Sequence, residues 1–303
     1  MGDSVRAVWS FWSKPFYANR NIQWSAPLHH LLAWGLSLRA ASRHYPETAL
    51  VTDRAGKRLL IDQLGLPFAH VSTELERLAH LDPGWWAMGK LFAYSLQEKP
   101  FVHIDTDIFL WKPLPRALVE SPVFSQCPEI YANDSKPSLR EIEWAFGEAG
   151  TELPAEWRWV RSRGATHFRE ENCGILGGTN VAFLRHYAQT ALDMVMRPEN
   201  EPAWSRLPDK FSHNFSIEQF LLAACIDFHR HGHEPNFSGI EVRNLFSNVA
   251  ETGDPSRAAR LGYTHLLGGA KAHPAVARRI EERARREDPA YFRRCEQLLR
   301  KSA

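Results

Sequence analysis

The sequence predicts an α/β protein with a mixed central sheet flanked by helices. Short apolar runs alternate with helical patterns through the first third of the chain, which is the order of parallel βαβ units. A longer apolar run at residues 101–111 is bounded by prolines and is typical of a buried central strand. With 303 residues, of which 44% are hydrophobic and 24% charged, the chain can bury a large core.

Local patterns predict the elements of the first half. We expect strands where β-branched and aromatic residues cluster, at residues 6–12, 49–53 and 66–71. Ser25 and Pro27 are a cap and a first-turn residue for a helix between the first two strands. Thr73 and Glu76 have the spacing of a capping box at a later helix start. A further helix, over residues 82–94, leads into the central strand.

The central run contains two acids, Asp105 and Asp107. Residues two apart on a strand point the same way, so their carboxylates are expected to face one spot. Two like charges buried side by side need a positive partner, and a divalent cation supplies it. The alternative is a solvated strand end, because short Asp-x-Asp patterns also occur by chance. His103 shares this face and is expected to support the site rather than bind the metal.

The second half has weaker periodicity. Residues 130–170 mix Pro, Gly, Trp and charge, and we expect an elaborated, partly mobile region there. A strand is predicted over residues 171–178, followed by a helix from Thr179. Another helix is expected to begin at Ser216, which forms a capping-box pattern with Gln219.

Several function classes are not supported. The chain has neither a dinucleotide-binding glycine fingerprint nor a P-loop, and its net charge of +2 gives no signal for a polyanion partner. The four cysteines lie far apart and suggest neither a zinc knuckle nor a disulfide framework. No stretch is long and apolar enough to span a bilayer, so we expect a reducing, cytoplasmic setting.

Two further segments of the chain are polar. His229, His231 and His233 resemble a metal-binding tract, but they lie in a polar stretch without a cysteine partner, and we expect them in solvent.

Residues 273–303 form a basic helical tail, separate from a domain at 1–272. We expect solvated helix faces in this tail, and the alternative is peripheral contact with an anionic membrane surface.

Four motifs occur in a recognisable order. They are Asp105-x-Asp107, Asn172-Cys-Gly174, Glu218-Gln219 and His265-x-x-Gly268-x-x-Lys271. This order resembles the GT-A-fold nucleotide-sugar glycosyltransferases, in particular the retaining glycosyltransferase family 8, which includes glycogenin and the lipopolysaccharide galactosyltransferases. The resemblance spans about residues 5–272 and is carried by the motifs.

The resemblance implies a metal and donor site. Asp105, Asp107 and His265 would bind Mn²⁺, with Mg²⁺ less favoured because one ligand is a nitrogen. Lys271 would contact the donor diphosphate, Gly268 would let the backbone approach it, and Asp105 would lie near the ribose. The donor would be a nucleotide diphosphate sugar, most simply a UDP-sugar, and the acceptor a glycan or a lipopolysaccharide- or capsule-type molecule.

The resemblance also implies residues for the transfer step, which would retain the anomeric configuration. Lys90 would face the donor sugar, Asn172 would lie near it, and Gln219 would lie on the β face of the anomeric carbon. The alternative interpretation of Lys90, given equal weight, is a solvated lysine on a helix. The alternative for Gln219 is the capping box, which explains this residue without a function. Asp53, at a strand end, is a candidate contact to the nucleoside, although acids are common at such positions.

Two alternatives remain open. The first is a catalytically inactive nucleotide-sugar or glycan-binding protein that keeps the fold. The second is a haloacid-dehalogenase-like phosphatase, whose motif also contains Asp-x-Asp. That motif requires Thr or Val where Phe109 stands, and it leaves His265 and Lys271 unexplained.

Overall fold

A computed structural model of the chain describes residues 5–18, 24–232 and 235–302. The strands are β1 (Arg6–Phe11), β2 (Thr48–Thr52), β3 (His70–Ser72), β4 (Phe101–Ile104), β5 (Ile108–Leu110), β6 (Val123–Ala132), β7 (His167–Gly178), β8 (Val242–Asn244) and β9 (Tyr263–His265). The α-helices are α1 (Ser13–Ala18), α2 (Pro27–Ser42), α3 (Arg54–Lys57), α4 (Met88–Ser95), α5 (Arg116–Val119), α6 (Pro137–Ala149), α7 (Ala155–Ser162), α8 (Val181–Met196), α9 (Glu201–Trp204), α10 (His213–Phe215), α11 (Leu221–Arg230), α12 (Val249–Thr252), α13 (Pro255–Leu261), α14 (Pro274–Glu287) and α15 (Pro289–Ser302). Short 3₁₀ or π segments lie at Arg58–Gln63, Glu74–Leu78, Pro198–Asn200, Ser216–Phe220, Pro235–Phe237 and Gly268–Ala272.

The chain divides into two compact units. The first consists of Met1–His80, His103–Pro115 and Thr252–Ala303, and the second of Leu81–Val102 and Arg116–Glu251. Strands and helices alternate in the first unit, and both parallel and antiparallel pairs occur in the chain. The predicted mixed α/β class is therefore confirmed. In the described part of the chain, no helix is both long and apolar enough to cross a membrane.

The first unit is built on parallel strands in the order β3-β2-β1. Ala7 pairs with Thr48, and Ala49 pairs with His70. The middle of β1 and all of β2 are buried, which explains their near-continuous apolar sequences. Strands β5 and β9 form a separate antiparallel pair. This pair is the part of the unit that positions the candidate site.

The basic C-terminal tail is part of the first unit. Helices α14 and α15 pack on α2, and the Tyr291 hydroxyl donates to the Leu31 carbonyl at 2.6 Å. A Cβ on Gly35 would lie 2.3 Å from the Tyr291 ring, so glycine is needed for this close approach. The Arg-rich faces are solvated as predicted, but Tyr291 and Phe292 are buried. Membrane contact through these two rings is therefore excluded while the helices stay packed.

The second unit contains a mixed set of strands. The long strands β6 and β7 are antiparallel, and β8 runs parallel to β6. Helix α4 packs on α8, and α11 packs on α7 and α8. Residues 130–170, predicted to be partly mobile, form regular structure from the end of β6 through α6 and α7 into β7. Pro137, Gly150 and Pro154 mark helix ends within this region, and its partial mobility stays a prediction.

The central apolar run is not one strand. It forms β4 and β5, and Asp105 and Asp107 lie in the turn between them. The prediction that both acids share one strand face was therefore wrong, because the Ile108 amide donates to the Asp105 carbonyl and closes a turn. The predicted early strands are confirmed at β1 and β2, whereas the third is shorter and later than expected, at β3.

The two predicted capping boxes are absent. Thr73 makes no side-chain cap, and Glu76 instead accepts from the Arg54 amide. Ser216 lies inside a continuous helical stretch, where its hydroxyl bonds to that of Ser138 at 2.9 Å. The capping explanation for Gln219 is therefore removed.

Candidate functional site

The antiparallel pair of β5 and β9 brings two distant segments together in the first unit. Ile108 is opposite His265 in this pair, and the Leu266 amide donates to the Asp107 carbonyl at 3.0 Å. The chain then enters the 3₁₀ turn that carries Lys271. The ladder therefore positions the His265-x-x-Gly-x-x-Lys271 motif beside Asp107.

The Asp107 carboxylate is the centre of this assembly. Its Oδ2 lies 2.5 Å from the Lys271 Nζ and 3.5 Å from the His265 Nε2. Burial opposes ionisation, but the charges of His265 and Lys271 and the hydrogen bonds from them outweigh it and hold the pKa of Asp107 well below its usual range. The acid therefore stays a carboxylate at neutral pH.

Asp105 has different surroundings. Its side chain is 27% exposed, and its Oδ1 lies 3.7 Å from the His103 Nδ1. The Nε2 of the buried His103 is hydrogen-bonded to the Ser10 hydroxyl at 3.0 Å. His103 therefore links β1 to the turn that holds the acids, which agrees with the supporting role expected from the sequence.

Asp107 and His265 fit a shared divalent cation. A carboxylate and an imidazole with bonds of about 2.0–2.2 Å to one ion lie roughly 3–3.5 Å apart, and the two ligand atoms here are 3.5 Å apart. In the part of the chain that the structure describes, Asp105 does not bring its ligand atoms within 4.8 Å of both of these groups. The assignment of Asp105 as a third ligand stays a prediction.

Gly268 begins the turn between His265 and Lys271 with a φ of +49°. A side chain is strained in this left-handed region, although a Cβ there would meet nothing within 4 Å. The backbone conformation, and the open space beside it, are compatible with the predicted approach of a diphosphate. The Lys271 carbonyl accepts from the Ser25 amide at 3.4 Å, which anchors the end of the turn.

His30 is a residue of this site that the sequence analysis did not assign. Its ring lies 4.9 Å from the Phe16 ring and 5.8 Å from the Trp24 ring, measured between centroids. Burial, together with the positive charge of Lys271, lowers the pKa of His30 to about 4, against an opposing effect of Asp107. The imidazole is therefore neutral at pH 7. The sequence offers one signal for the place of His30 in this site, the aromatic residues around it. Those residues are either distant in the sequence or common in cores.

Asp53 forms a cap in the structure. It accepts from the Ser13 amide at 2.9 Å, from the Ser13 hydroxyl at 2.8 Å and from the Gly56 amide at 2.7 Å. These bonds tie the start of α1 and the start of α3 to the end of β2. The proposed nucleoside contact of Asp53 stays a prediction, and its carboxylate already has a structural role.

The second unit carries the residues predicted for the transfer step. The Lys90 ammonium lies 2.6 Å from the buried Glu218 carboxylate and donates to the Cys173 carbonyl at 3.1 Å. Lys90 is therefore not a solvated helix lysine. Gln219 is buried in the π segment, and π turns are frequent at functional sites. Asn172 donates to Glu129 at 2.8 Å and accepts from the Gly174 amide at 3.0 Å.

A second group of acids lies on the neighbouring strands β6 and β7. Glu170 is buried and ion-paired with Lys136, and Glu129 accepts from the Tyr131 hydroxyl. Burial raises the pKa of Glu170 to about 7; Lys136 opposes this effect, and Glu129 and Glu218 add to it. The carboxyl can therefore give or take a proton near neutral pH, a property that sequence spacing did not indicate.

The histidine tract is divided by the structure. His231 is exposed, as predicted, and the centroid of its ring lies 5.0 Å from that of the Trp159 ring, with the two planes tilted by 48°. His229 is fully buried, so the prediction that it lies in solvent was wrong. Helix α11 extends through residue 230 and carries this ring into the core of the second unit. His233 lies outside the described residues.

Comparison with known proteins adds a family. Residues 5–298 match the family described as a family of unknown function, DUF6734. The chain belongs to this family. No curated protein matches the chain significantly.

Solved structures similar to the DUF6734 chain include glycosyltransferases. One is the galactosyltransferase LgtC in complex with donor and acceptor sugar analogs, at 11% identity and a TM-score of 0.41, with 92% of this chain and 94% of that chain covered. An active-site mutant of LgtC matches at 13% identity and a TM-score of 0.44, with coverages of 96% and 100%. The glycosyltransferase GlyE of Streptococcus pneumoniae TIGR4 matches at 10% identity and a TM-score of 0.41, with 99% of this chain and 64% of that chain covered.

Proposed function

We propose that the chain is a metal-dependent glycosyltransferase that takes a sugar from a nucleotide diphosphate sugar, most simply a UDP-sugar, with retention of configuration. The observation that carries this proposal is the meeting of Asp107, His265 and Lys271. A buried carboxylate beside an imidazole suits a divalent cation, and an ammonium on the same turn suits a phosphate oxygen. The motif order that resembles the glycosyltransferases is thus matched by a physical cluster.

The chemical task of this cluster is to stabilise a leaving group. When the bond between sugar and phosphate breaks, the departing nucleoside diphosphate gains negative charge. A bound Mn²⁺ or Mg²⁺ would supply Lewis-acid stabilisation of that charge. Lys271 has a flexible stem and can turn from Asp107 to a phosphate oxygen. The neutral His30 adds no charge of its own to this cluster.

The residues of the second unit are assigned to the transfer step by resemblance. Gln219, Asn172 and Lys90 are proposed to contact the donor sugar. The Lys90–Glu218 pair and the removal of the capping explanation for Gln219 support this assignment. The acceptor is proposed to be a glycan or a lipopolysaccharide- or capsule-type molecule. We propose a cytoplasmic location, with peripheral contact at the inner face of a membrane as the alternative. Four buried, free cysteines support the reducing setting.

Thermal stabilisation by nucleoside diphosphates tests the donor site. We would measure melting temperatures with UDP, GDP, ADP and CDP, each with and without Mn²⁺. A ligand at a hundred times its dissociation constant stabilises by about 2.7 kcal/mol. We expect one diphosphate to stabilise the chain only with metal, and the effect to be lost in Asp107→Asn and His265→Ala.

A lysine pair gives the matched control. Lys271→Met should weaken diphosphate binding, whereas Lys112→Met should not, because Lys112 is exposed and donates to the Arg260 carbonyl. Equal binding by both variants would contradict the assignment. Binding without donor turnover would favour the inactive binding protein, and hydrolysis of a small phosphoester would favour the phosphatase.

A further inference from the structure

A cluster of side chains that can bind a metal lies in the second unit. It contains none of the residues assigned above to the donor site or to the transfer step. Glu156 comes from the first turn of α7, His186 from α8 and His229 from the last turn of α11. In the described residues, these three form the group whose ligand atoms all lie within 4.8 Å of one another. Glu156 and His229 are buried, and the His186 side chain is 30% exposed.

One nitrogen atom of the cluster faces both other ligand groups. The His186 Nε2 lies 2.8 Å from the Glu156 Oε1 and 3.2 Å from the His229 Nε2. A neutral imidazole nitrogen carries either a proton or a lone pair. If the His186 Nε2 carries a proton, it shares that proton between the Glu156 carboxylate and the His229 Nε2. If it accepts from His229, it faces the carboxylate oxygen without a proton.

A bound cation satisfies all three atoms at once. A tetrahedral Zn²⁺ with bonds of about 2.0–2.1 Å holds neighbouring ligand atoms roughly 3.3–3.4 Å apart. The separations here are 2.8, 3.2 and 3.7 Å, the last between the Glu156 Oε1 and the His229 Nε2. Two imidazoles and one carboxylate are a zinc donor set, whereas Mg²⁺ and Ca²⁺ prefer oxygen ligands.

The surroundings hold the ligands in place. The rings of Phe183, Phe228 and Phe237 stand edge-on to the His229 ring, with centroids 5.8, 5.2 and 5.2 Å away. These contacts fix the orientation of His229 and limit the access of water to it. The partial exposure of His186 leaves an entry path and a place for a water molecule as the fourth ligand.

We propose that Glu156, His186 and His229 form a zinc site that fastens α7, α8 and α11 together. The site is independent of the donor cluster around Asp107, and it requires no nucleotide. Zinc binding would add to the stability of the second unit, because an ion that binds only the folded chain shifts the unfolding equilibrium.

The zinc content of the 303-residue chain tests the proposal. Protein stripped with EDTA, incubated with Zn²⁺ and desalted should retain about one zinc per chain by mass spectrometry, in the stoichiometry of a single tetrahedral site. The melting temperature should rise by roughly 3–8 °C with zinc. Co²⁺ in place of zinc should show the visible absorption of a four-coordinate site.

Three variants localise the ion. Glu156→Gln keeps the shape of the side chain and removes its charge, and His186→Gln changes a partly exposed ligand; both should lose the zinc and the cobalt spectrum. His231→Gln, at an exposed position just beyond α11, is the matched control and should keep both. If Glu156→Gln does not fold, His186→Gln decides the question.

Two results would overturn the zinc site: wild-type chain that retains no zinc, or equal retention by His186→Gln and wild type. Asp107→Asn should keep the zinc. Loss of diphosphate binding with zinc intact would therefore reflect the donor site alone, so the two proposals fail separately.

Discussion

The buried acid Glu170 should make stability depend on pH in a defined direction. Its side chain is fully buried on β7, and burial raises its pKa from 4.5 to about 7, despite the ion pair with Lys136. The folded state therefore binds more protons than the unfolded state between these two values. Stability contributed by the protonated form is present below pH 4.5 and is lost as the pH rises to about 7.

The magnitude follows from the size of the shift. Each pKa unit corresponds to 1.36 kcal/mol, so a shift from 4.5 to about 7 is equivalent to about 3 kcal/mol of unfolding free energy. Glu170→Gln removes the titrating group and keeps the shape of the side chain. The stability of the variant relative to wild type should therefore rise by about 3 kcal/mol between pH 4.5 and pH 8.

Urea unfolding measured across this pH range checks the prediction. Glu148→Gln is the matched control, because Glu148 is exposed on α6 and the same chemical change is made there. The reasoning is refuted if the difference between Glu170→Gln and wild type does not change with pH, or if it changes in the same way in Glu148→Gln.

Three further predictions concern single side chains. The pKa of His30 in the folded state is lowered from 6.5 to about 4, so the unfolding free energy of wild type should fall by about 3 kcal/mol as the pH falls through this range. His30→Phe should remove that loss in the same urea series. Asp53→Ala should lower the unfolding free energy by about 2–3 kcal/mol, since it leaves the Ser13 and Gly56 donors unpaired. Asp62 is exposed, so the control change Asp62→Ala should alter the unfolding free energy little. A Cβ on Gly177 would lie 2.0 Å from the Phe101 carbonyl oxygen, so Gly177→Ala should lower the unfolding free energy by about 3 kcal/mol. Gly147 has open space on α6, so Gly147→Ala should raise the unfolding free energy by about 1 kcal/mol in thermal unfolding. Equal effects of the two changes would contradict the packing argument.

Local patterns predicted those parts of the fold that local physics determines. The buried strands β1 and β2 and the helix begun at Pro27 follow from apolar runs and from the fixed φ of proline. The basic helical tail was expected, but the packing of its helices on α2 was not. That packing depends on Gly35 and Tyr291, which are distant in the sequence and form no pattern together.

The candidate site was predicted in its residues but not in its geometry. Apolar residues on both sides of Asp105 and Asp107 favoured one strand, whereas a turn divides it and gives the two acids different exposure. The ion pair between Lys271 and Asp107 depends on the pairing of β5 with β9. This pairing joins distant segments of the chain, which sequence periodicity cannot reveal. His30 was missed for the same reason.

The histidine tract shows how local composition can mislead. Gly232 and Pro235 indicated a solvated loop around the three histidines. Helix α11 instead continues far enough to bury His229, and Glu156 and His186 reach it from other helices. The three ligands therefore share no sequence spacing, so no motif could have identified the cluster.

The most direct measurement of the central claim is release of nucleoside diphosphate from UDP-sugars by wild type and by Asp107→Asn, with and without Mn²⁺. The account predicts metal-dependent release by wild type and a fall of at least about 100-fold in the variant, since the variant loses the charge that holds the cation. Release that is equal in the two proteins, or that needs no metal, would contradict the account.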